Sequence, residues 1–293
     1  MGCWRIALLC LWAVSGLTLE LTAATALAQK PEQIAPAVLS SSGNSSLPNA
    51  PASQDGDDAA VTVMGTPRRI VLDEWSIVRS PAHLRKQDLK WLLPLTAATA
   101  VSFATDEKTQ SEVVSRNPSF NQASVNASDA LVGGLIAAPV MLFGAGSMRH
   151  SEHAREAGIL GGEAMVDAYV AGALIKIVTF RQRPDSGNSE GSFFRTTNGV
   201  DSSFVSQHSL VAWSSASAIA AAYPNPWVDA GLYTAATGVS LTRVMGRQHF
   251  PTDVLLGSSV GWLIGHYVYR AHHSGGLSRR DQRYLRAVSS LIH

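Results

Sequence analysis

Six runs of apolar and small residues, at about 88–105, 127–146, 156–180, 207–222, 227–244 and 253–272, are separated by shorter polar stretches. No run reads persuasively as a strand, so the pattern predicts an all-α protein built as a six-helix bundle. Gly, Ala and Ser recur inside the runs, as in Gly133-Gly134, Gly161-Gly162, Ser214-Ser215-Ala216 and Gly257-Ser258-Ser259. Such small residues let helix backbones approach closely. Ahead of the first run, Arg68 to Lys90 is basic and amphipathic.

The chain before these runs has a different character. Met1 to Ala28 reads as a secretory signal, with Arg5 near its start, an apolar run from Ile6 to Leu19, and Ala26-Leu27-Ala28 before Gln29. Both cysteines, Cys3 and Cys10, fall inside it, so disulfides are expected to play no part in the mature fold. From Gln29 to Pro67 the sequence is rich in Ser, Ala, Pro, Asn and Asp and cannot bury enough apolar area to order itself. The expected organisation is a signal peptide at 1–28, a disordered linker at 29–67, a helical domain at 68–275 and a basic tail at 276–293.

Composition adds a membrane question. Of 293 residues, 46% are hydrophobic and 15% charged, which leans toward membrane association or a deeply buried helical core. A formal net charge of +1 argues for local rather than global attraction of anions and gives no indication of a nucleic-acid partner. Ala130 to Met148 is the clear uncharged run of nearly spanning length, while Trp91 to Thr105 and Ala230 to Thr242 are short for a bilayer core of ~30 Å.

Three polar clusters stand out at the ends of the apolar runs. They read K-x6-R-P over Lys176 and Arg183-Pro184, S-x-H over Ser206 and His208, and R-x5-H-x3-D over Arg243, His249 and Asp253. Lysine and two arginine forks supply fixed positive charge suited to phosphoryl oxygens. Histidines titrate near neutral pH and can serve as nucleophile or proton donor. Ser206 is a good N-cap for the run beginning at Gln207, whose first amides would form an anion site.

These clusters resemble the three motifs of the type 2 phosphatidic acid phosphatase (PAP2) superfamily, shared with class A acid phosphatases and vanadium haloperoxidases. The first motif is complete from Lys176 to Pro184, and the third has Thr242 where serine is usual. In the second, Val205-Ser206-Gln207-His208 replaces the family's P-S-G-H. The resemblance covers roughly Glu156 to Arg270 and implies a metal-independent, cofactor-free phosphatase acting on a phosphomonoester, lipid phosphate or polyprenyl diphosphate.

It also implies roles. His249 would form a phosphohistidine, Asp253 would hold the other ring nitrogen of His249, and His208 would protonate the leaving oxygen. Lys176, Arg183 and Arg243 would bind phosphate oxygens, with Ser206 and the Gln207 amide completing the cradle. Gln207, unlike glycine, is expected to bring a side chain into the pocket. The alternatives are a vanadate-dependent haloperoxidase, disfavoured by the short chain, and a noncatalytic phosphate or lipid binder.

Other residues have less specific readings. Glu163 and Asp167, four apart, would pair with an arginine from another helix or face water. His266, His272 and His273 show no partner spacing, and Phe193-Phe194 would either contact a lipid tail or anchor their loop. Basic segments before the first helix, at Arg149 to Arg155 and at Arg279 to Arg286 would share one side of a six-span layout, with the active site opposite. A cleaved signal conflicts with six spans, because it would leave Lys176 in the cytoplasm. The expectation is therefore an exported periplasmic enzyme, soluble or membrane-associated.

Overall fold

The structure, a computed structural model, describes residues 61–79, 88–186, 190–196 and 201–273. The expected signal peptide, the linker up to residue 60 and the basic tail lie outside these residues. After a short 3-10 turn at Val63–Gly65, seven α-helices follow: α1 (Thr66–Arg79), α2 (Leu89–Lys108), α3 (Pro118–Met148), α4 (Glu152–Thr179), α5 (Gln207–Ala222), α6 (Pro226–Met245) and α7 (Pro251–His272). No strand occurs among the described residues. All six apolar runs are helices, and the bundle gains a seventh from the basic amphipathic approach. The six-helix expectation is corrected accordingly: α1 docks on α4 because Arg69 reaches Glu163.

Local chemistry sets most of the starts. Asn117 accepts from the amides of Ser119 and Phe120, and Pro118 supplies a fixed helical φ at the first position. Helix α3 therefore begins at Pro118 rather than at 127, through a polar stretch that lacks apolar periodicity. Ser151 accepts from Ala154 N and opens α4, Asn225 with Pro226 opens α6, and Ser206 opens α5 by accepting from Ser209 N.

Helix α5 runs through the middle, and glycines decide how closely α7 lies against it. A Cβ on Gly257, Gly261 or Gly265 would come within 2.8, 2.2 and 2.1 Å of the carbonyls of Ser206, Leu210 and Ser214. These three positions share one face of α7, so the two backbones touch along two full turns. Serines then cross-link the helices: Ser240 Oγ on α6 bonds Ser209 Oγ on α5 and meets Ser258 Oγ on α7, and Ser215 donates to Leu135 O on α3. Gly133 and Gly134 differ from expectation, since each faces open space rather than a neighbouring helix.

The interior is thus rich in small and polar residues, and much of the exterior is apolar. Ile136, Val140 and Met141 on α3, Leu174 and Ile177 on α4, and Trp262 and Leu263 on α7 are all exposed. Helices α3 and α4 are long and apolar enough to cross a membrane. The ends of α4 and α6 and the starts of α5 and α7 meet at one pole of the bundle. The basic Arg149–Arg155 turn sits at the other end of α4, ~35 Å away along a helix rising 1.5 Å per residue.

Candidate active site

Helix α4 stops where Phe180 takes the left-handed conformation, φ 44° and ψ 41°, with its N–H on Lys176 O at 3.3 Å. The turn sends Arg181 into the interior. Its Nη1 lies 2.6 Å from Asp253 Oδ1 and its Nη2 lies 2.7 Å from Asp106 Oδ2. Its Nε donates to Gly191 O at 3.1 Å, and its guanidinium carbon lies 4.2 Å from the centre of the Phe250 ring. Gly191 has φ 61°, and a Cβ there would sit 2.5 Å from that ring, so only glycine closes this clamp without strain. Asp106 also accepts from Thr252 N at 3.1 Å and Thr252 Oγ1 at 2.7 Å, which ties the end of α2 to the start of α7.

This clamp fixes His249. The imidazole is buried, and its Nδ1 lies 2.7 Å from Ser203 O. A carbonyl can only accept, so Nδ1 carries the proton and Nε2 keeps its lone pair. The expected direct hold by Asp253 is corrected here: its nearest oxygen is 3.7 Å from Nδ1, beyond a good hydrogen bond. Asp253 instead accepts Phe250 N at 2.9 Å, capping α7, and engages Arg181. Its influence on His249 is electrostatic. Burial pushes the imidazole down to about 3 despite the neighbouring carboxylate. Burial alone would raise Asp253, but Arg181, His249 and the Phe250 amide together outweigh it and hold the carboxyl at about 2. Gln110 anchors the loop by donating to His249 O at 3.0 Å.

His208 lies in the first turn of α5, half-buried. Asp129 on α3 faces it, with Oδ1 3.4 Å from His208 Nε2 and 3.2 Å from Arg243 Nη1. Burial, then the Arg243 charge, lowers His208 to about 4, with Asp129 opposing. Lys176 Nζ donates to Ser202 O. Arg183 donates through Nε to Asp201 O at 3.2 Å and through Nη1 to Gln248 Oε1 at 3.1 Å. The structure therefore brings together every expected residue of the three motifs, and each of the three cations lies within electrostatic reach of His208.

Several donors at this pole lack partners. Arg243 Nε is buried without a hydrogen bond. The amides of Gln207 and His208, at the start of α5, have none among the described residues. An unpaired buried donor such as Arg243 Nε is costly, and together with the two amides and the dipole of α5 it makes this end a candidate cradle for an anion. The Gln207 side chain is not part of it. Contrary to expectation it turns away from the pocket, with Nε2 donating to Tyr169 O at 3.0 Å and the amide lying over Gly172, where a Cβ would meet it at 2.5 Å.

Four contributors escaped the motif reading. Arg181 lies inside the first motif at a position the family pattern leaves open, and a basic residue next to a helix end with no obvious acid gave no cue to burial. Ser203 acts through its backbone carbonyl, which no side-chain pattern reports. Asp106 opens the charged stretch Asp106-Glu107-Lys108 just past the run 88–105, with no spacing to any of the motifs. Asp129 carried a usable signal, since it is the single charged residue in the run 127–146. Phe193 anchors its loop by packing against Phe103 and Phe204 at 6.0 and 5.6 Å, whereas Phe194 is exposed. A polar cleft of about 530 Å³ opens beside the site, lined by Arg116, Asn121, Pro184, Asp185, Arg247 and Gln248.

Residues 158–275 match the model of the PAP2 superfamily. The chain is similar to a lipid A 1-phosphatase from Porphyromonas gingivalis, with 25% identity over 186 residues. That match covers 63% of this chain and 38% of the relative, so the similarity spans well under half the relative's length. It is also similar to the crystal structure of a transmembrane PAP2 type phosphatidylglycerolphosphate phosphatase from Bacillus subtilis. Identity there is 21% and the TM-score 0.44, with 74% of this chain and 100% of the other covered.

Proposed function

We propose that this chain is a metal-independent phosphatase that hydrolyses a lipid phosphate through a phosphohistidine intermediate, exported and held at the membrane. The observation that carries the reading is the pairing of a buried imidazole, its Nε2 lone pair free, with unpaired donors on Arg243 and at the start of α5. Such a site can hold the three nonbridging oxygens of a phosphoryl group and present a nucleophile to the phosphorus. Lys176, Arg183 and Arg243 supply the charge, with the amides of Gln207 and His208 above Ser206.

In the first step His249 Nε2 bonds to phosphorus as the phosphorus–oxygen ester bond breaks. The departing oxygen takes a proton from His208. In the second step His208 takes a proton from water, whose oxygen bonds to phosphorus as the phosphorus–nitrogen bond breaks, releasing inorganic phosphate. The cations around His208 favour its neutral form in the free site, so the arriving phosphate anion is what loads it with a proton. The Ser203 carbonyl and the Asp253 charge stabilise the imidazole as it becomes positive.

The lipid class rests on the apolar exterior of α3, α4 and α7 and on the similarity to a lipid A 1-phosphatase. The test is phosphate release by the purified full chain from phosphatidic acid, phosphatidylglycerol phosphate, a lipid A-type glycosyl 1-phosphate, polyprenyl diphosphate and a soluble aryl phosphate. At least one lipid should be hydrolysed faster than the soluble ester, with EDTA leaving the initial rate unchanged. A folded protein that releases phosphate from none of them would be a binder, and preference for the soluble ester would remove the lipid assignment.

A further inference from the structure

Away from the phosphate pole, α1, α4 and α7 enclose a second group of charged side chains. Asp73 and Glu163 are each 1% exposed and Asp167 is fully buried. Arg69 grips Glu163 through Nε at 2.9 Å and Nη2 at 2.8 Å. His272 Nε2 lies 2.7 Å from Asp73 Oδ2 and 4.0 Å from Glu163 Oε1, and Tyr267 donates to Asp73 Oδ1 at 3.3 Å. One turn along the same face of α4 from Glu163, Asp167 has no hydrogen-bond partner for either oxygen, and the Glu74 oxygens are likewise buried without one.

The charges do not balance. Asp73, Glu74, Glu163 and Asp167 can carry four negative charges, and Arg69 with His272 can carry two positive ones. Buried ions need neutralisation. One oxygen or nitrogen from each of Asp73, Glu163 and His272 lies within 4.8 Å of the others, a spacing that small side-chain shifts convert into a shared coordination sphere. Two carboxylates and an imidazole are the donor set of zinc and manganese rather than of calcium.

We infer that Asp73, Glu163 and His272, with the unpaired Asp167 carboxylate one turn away adding negative charge, form a divalent-cation site that fastens α1 and α7 to α4. Arg69 holds Glu163 and Tyr267 holds Asp73 in orientation, the supporting role that outer partners play around bound metals. Glu163 lies ~20 Å along α4 from Lys176, so the ion is structural and takes no part in phosphate chemistry.

The purified full chain, treated with EDTA and freed of it, is dialysed to equilibrium against Zn²⁺ or Mn²⁺ alone. Bound metal is measured by mass spectrometry and thermal unfolding is followed in parallel. Wild type and His249→Ala should each bind an equivalent of one of these ions and unfold at higher temperature with it. His272→Gln and the isosteric Asp167→Asn should bind at least about tenfold more weakly and lose the ion-dependent rise. Wild type without stoichiometric uptake of either ion overturns the site, as does uptake unchanged in the folded variants. Should one variant fail to fold, the other and the wild-type titration decide. If Asp167→Asn instead stabilises the protein and wild type binds no metal, protons balance the cluster and the inference is wrong. None of these readings depends on turnover.

Discussion

The two poles of this bundle are electrostatic opposites. At one, Lys176, Arg183 and Arg243 surround two histidines, and donors on Arg243 and α5 lack acceptors. At the other, four acids outnumber Arg69 and His272, and carboxylate oxygens of Glu74 and Asp167 lack donors. Each pole is incomplete in the opposite sense. Bundle interiors rarely keep unpaired charge without a counter-ion, so the same physical reasoning points to an anion at the first pole and a cation at the second. The poles differ in access, however: His208 and Asp129 keep the phosphate pole open to a substrate, whereas Asp73, Glu163 and Asp167 are closed off.

The sharpest break of this contrast removes the proposed nucleophile. His249→Ala should lower phosphate release by at least about 1,000-fold while leaving helical content and metal uptake at the far pole intact; residual turnover within tenfold of wild type would displace His249 from its role. Next comes the structural clamp. Arg181→Met leaves Asp106 and Asp253 buried without their shared cation, which should cost about 3–5 kcal/mol in denaturant unfolding, and Arg181→Lys should not restore it because one ammonium cannot reach both acids in fork geometry.

The proposed general acid comes third. His208→Ala should slow turnover about 100-fold or more, with the greatest loss on esters of poor leaving groups, and equal loss across leaving groups would argue against proton donation. With His208 lowered to about 4 in the free site, kcat/KM should fall as pH rises through that region, and the basic limb of kcat should lie at higher pH because bound phosphate opposes Arg243. Asp129→Asn removes the opposing carboxylate and should move both limbs to lower pH.

Stability should run the other way from the protonated state of His249. Its folded value of about 3 lies below the usual histidine value of 6.5, so the unfolded chain binds the extra proton and stability falls as pH drops from about 6.5 toward 3. Unfolding free energy followed over that range checks the sign. The smallest effect belongs to Gln207→Gly. Because that side chain lies over Gly172 outside the pocket, turnover should change by less than about threefold while the helix start loses about 0.5–1 kcal/mol.

The motifs made the phosphate pole legible in the sequence, because its residues act through side chains at fixed spacing from helix ends. The acidic pole was legible only in part, since Glu163 does meet an arginine from another helix, Arg69. Glu163 and Asp167 read as a pair that would meet an arginine or face water, and His272 as a histidine without a partner, since Asp73 and Arg69 lie about 90 to 200 positions away in the chain. The seventh helix went unread for the same reason: α1 is a helix whose anchoring contact is a distant ion pair. The Gln207 expectation failed because spacing gives a residue's place on a helix but not the direction its side chain takes.

By itself, the sequence determined the helical class, the six main helices and which cationic and histidine residues make up the candidate site, since hydrophobic periodicity, local capping and motif spacing depend on neighbours a few positions apart. Only the tertiary structure decided that Ser203 rather than Asp253 sets the His249 tautomer, that Arg181 joins Asp106 to Asp253, and that four acids converge on two cations. Those outcomes depend on which buried groups meet across helices, and desolvation makes each such meeting matter in a way that composition and spacing do not encode.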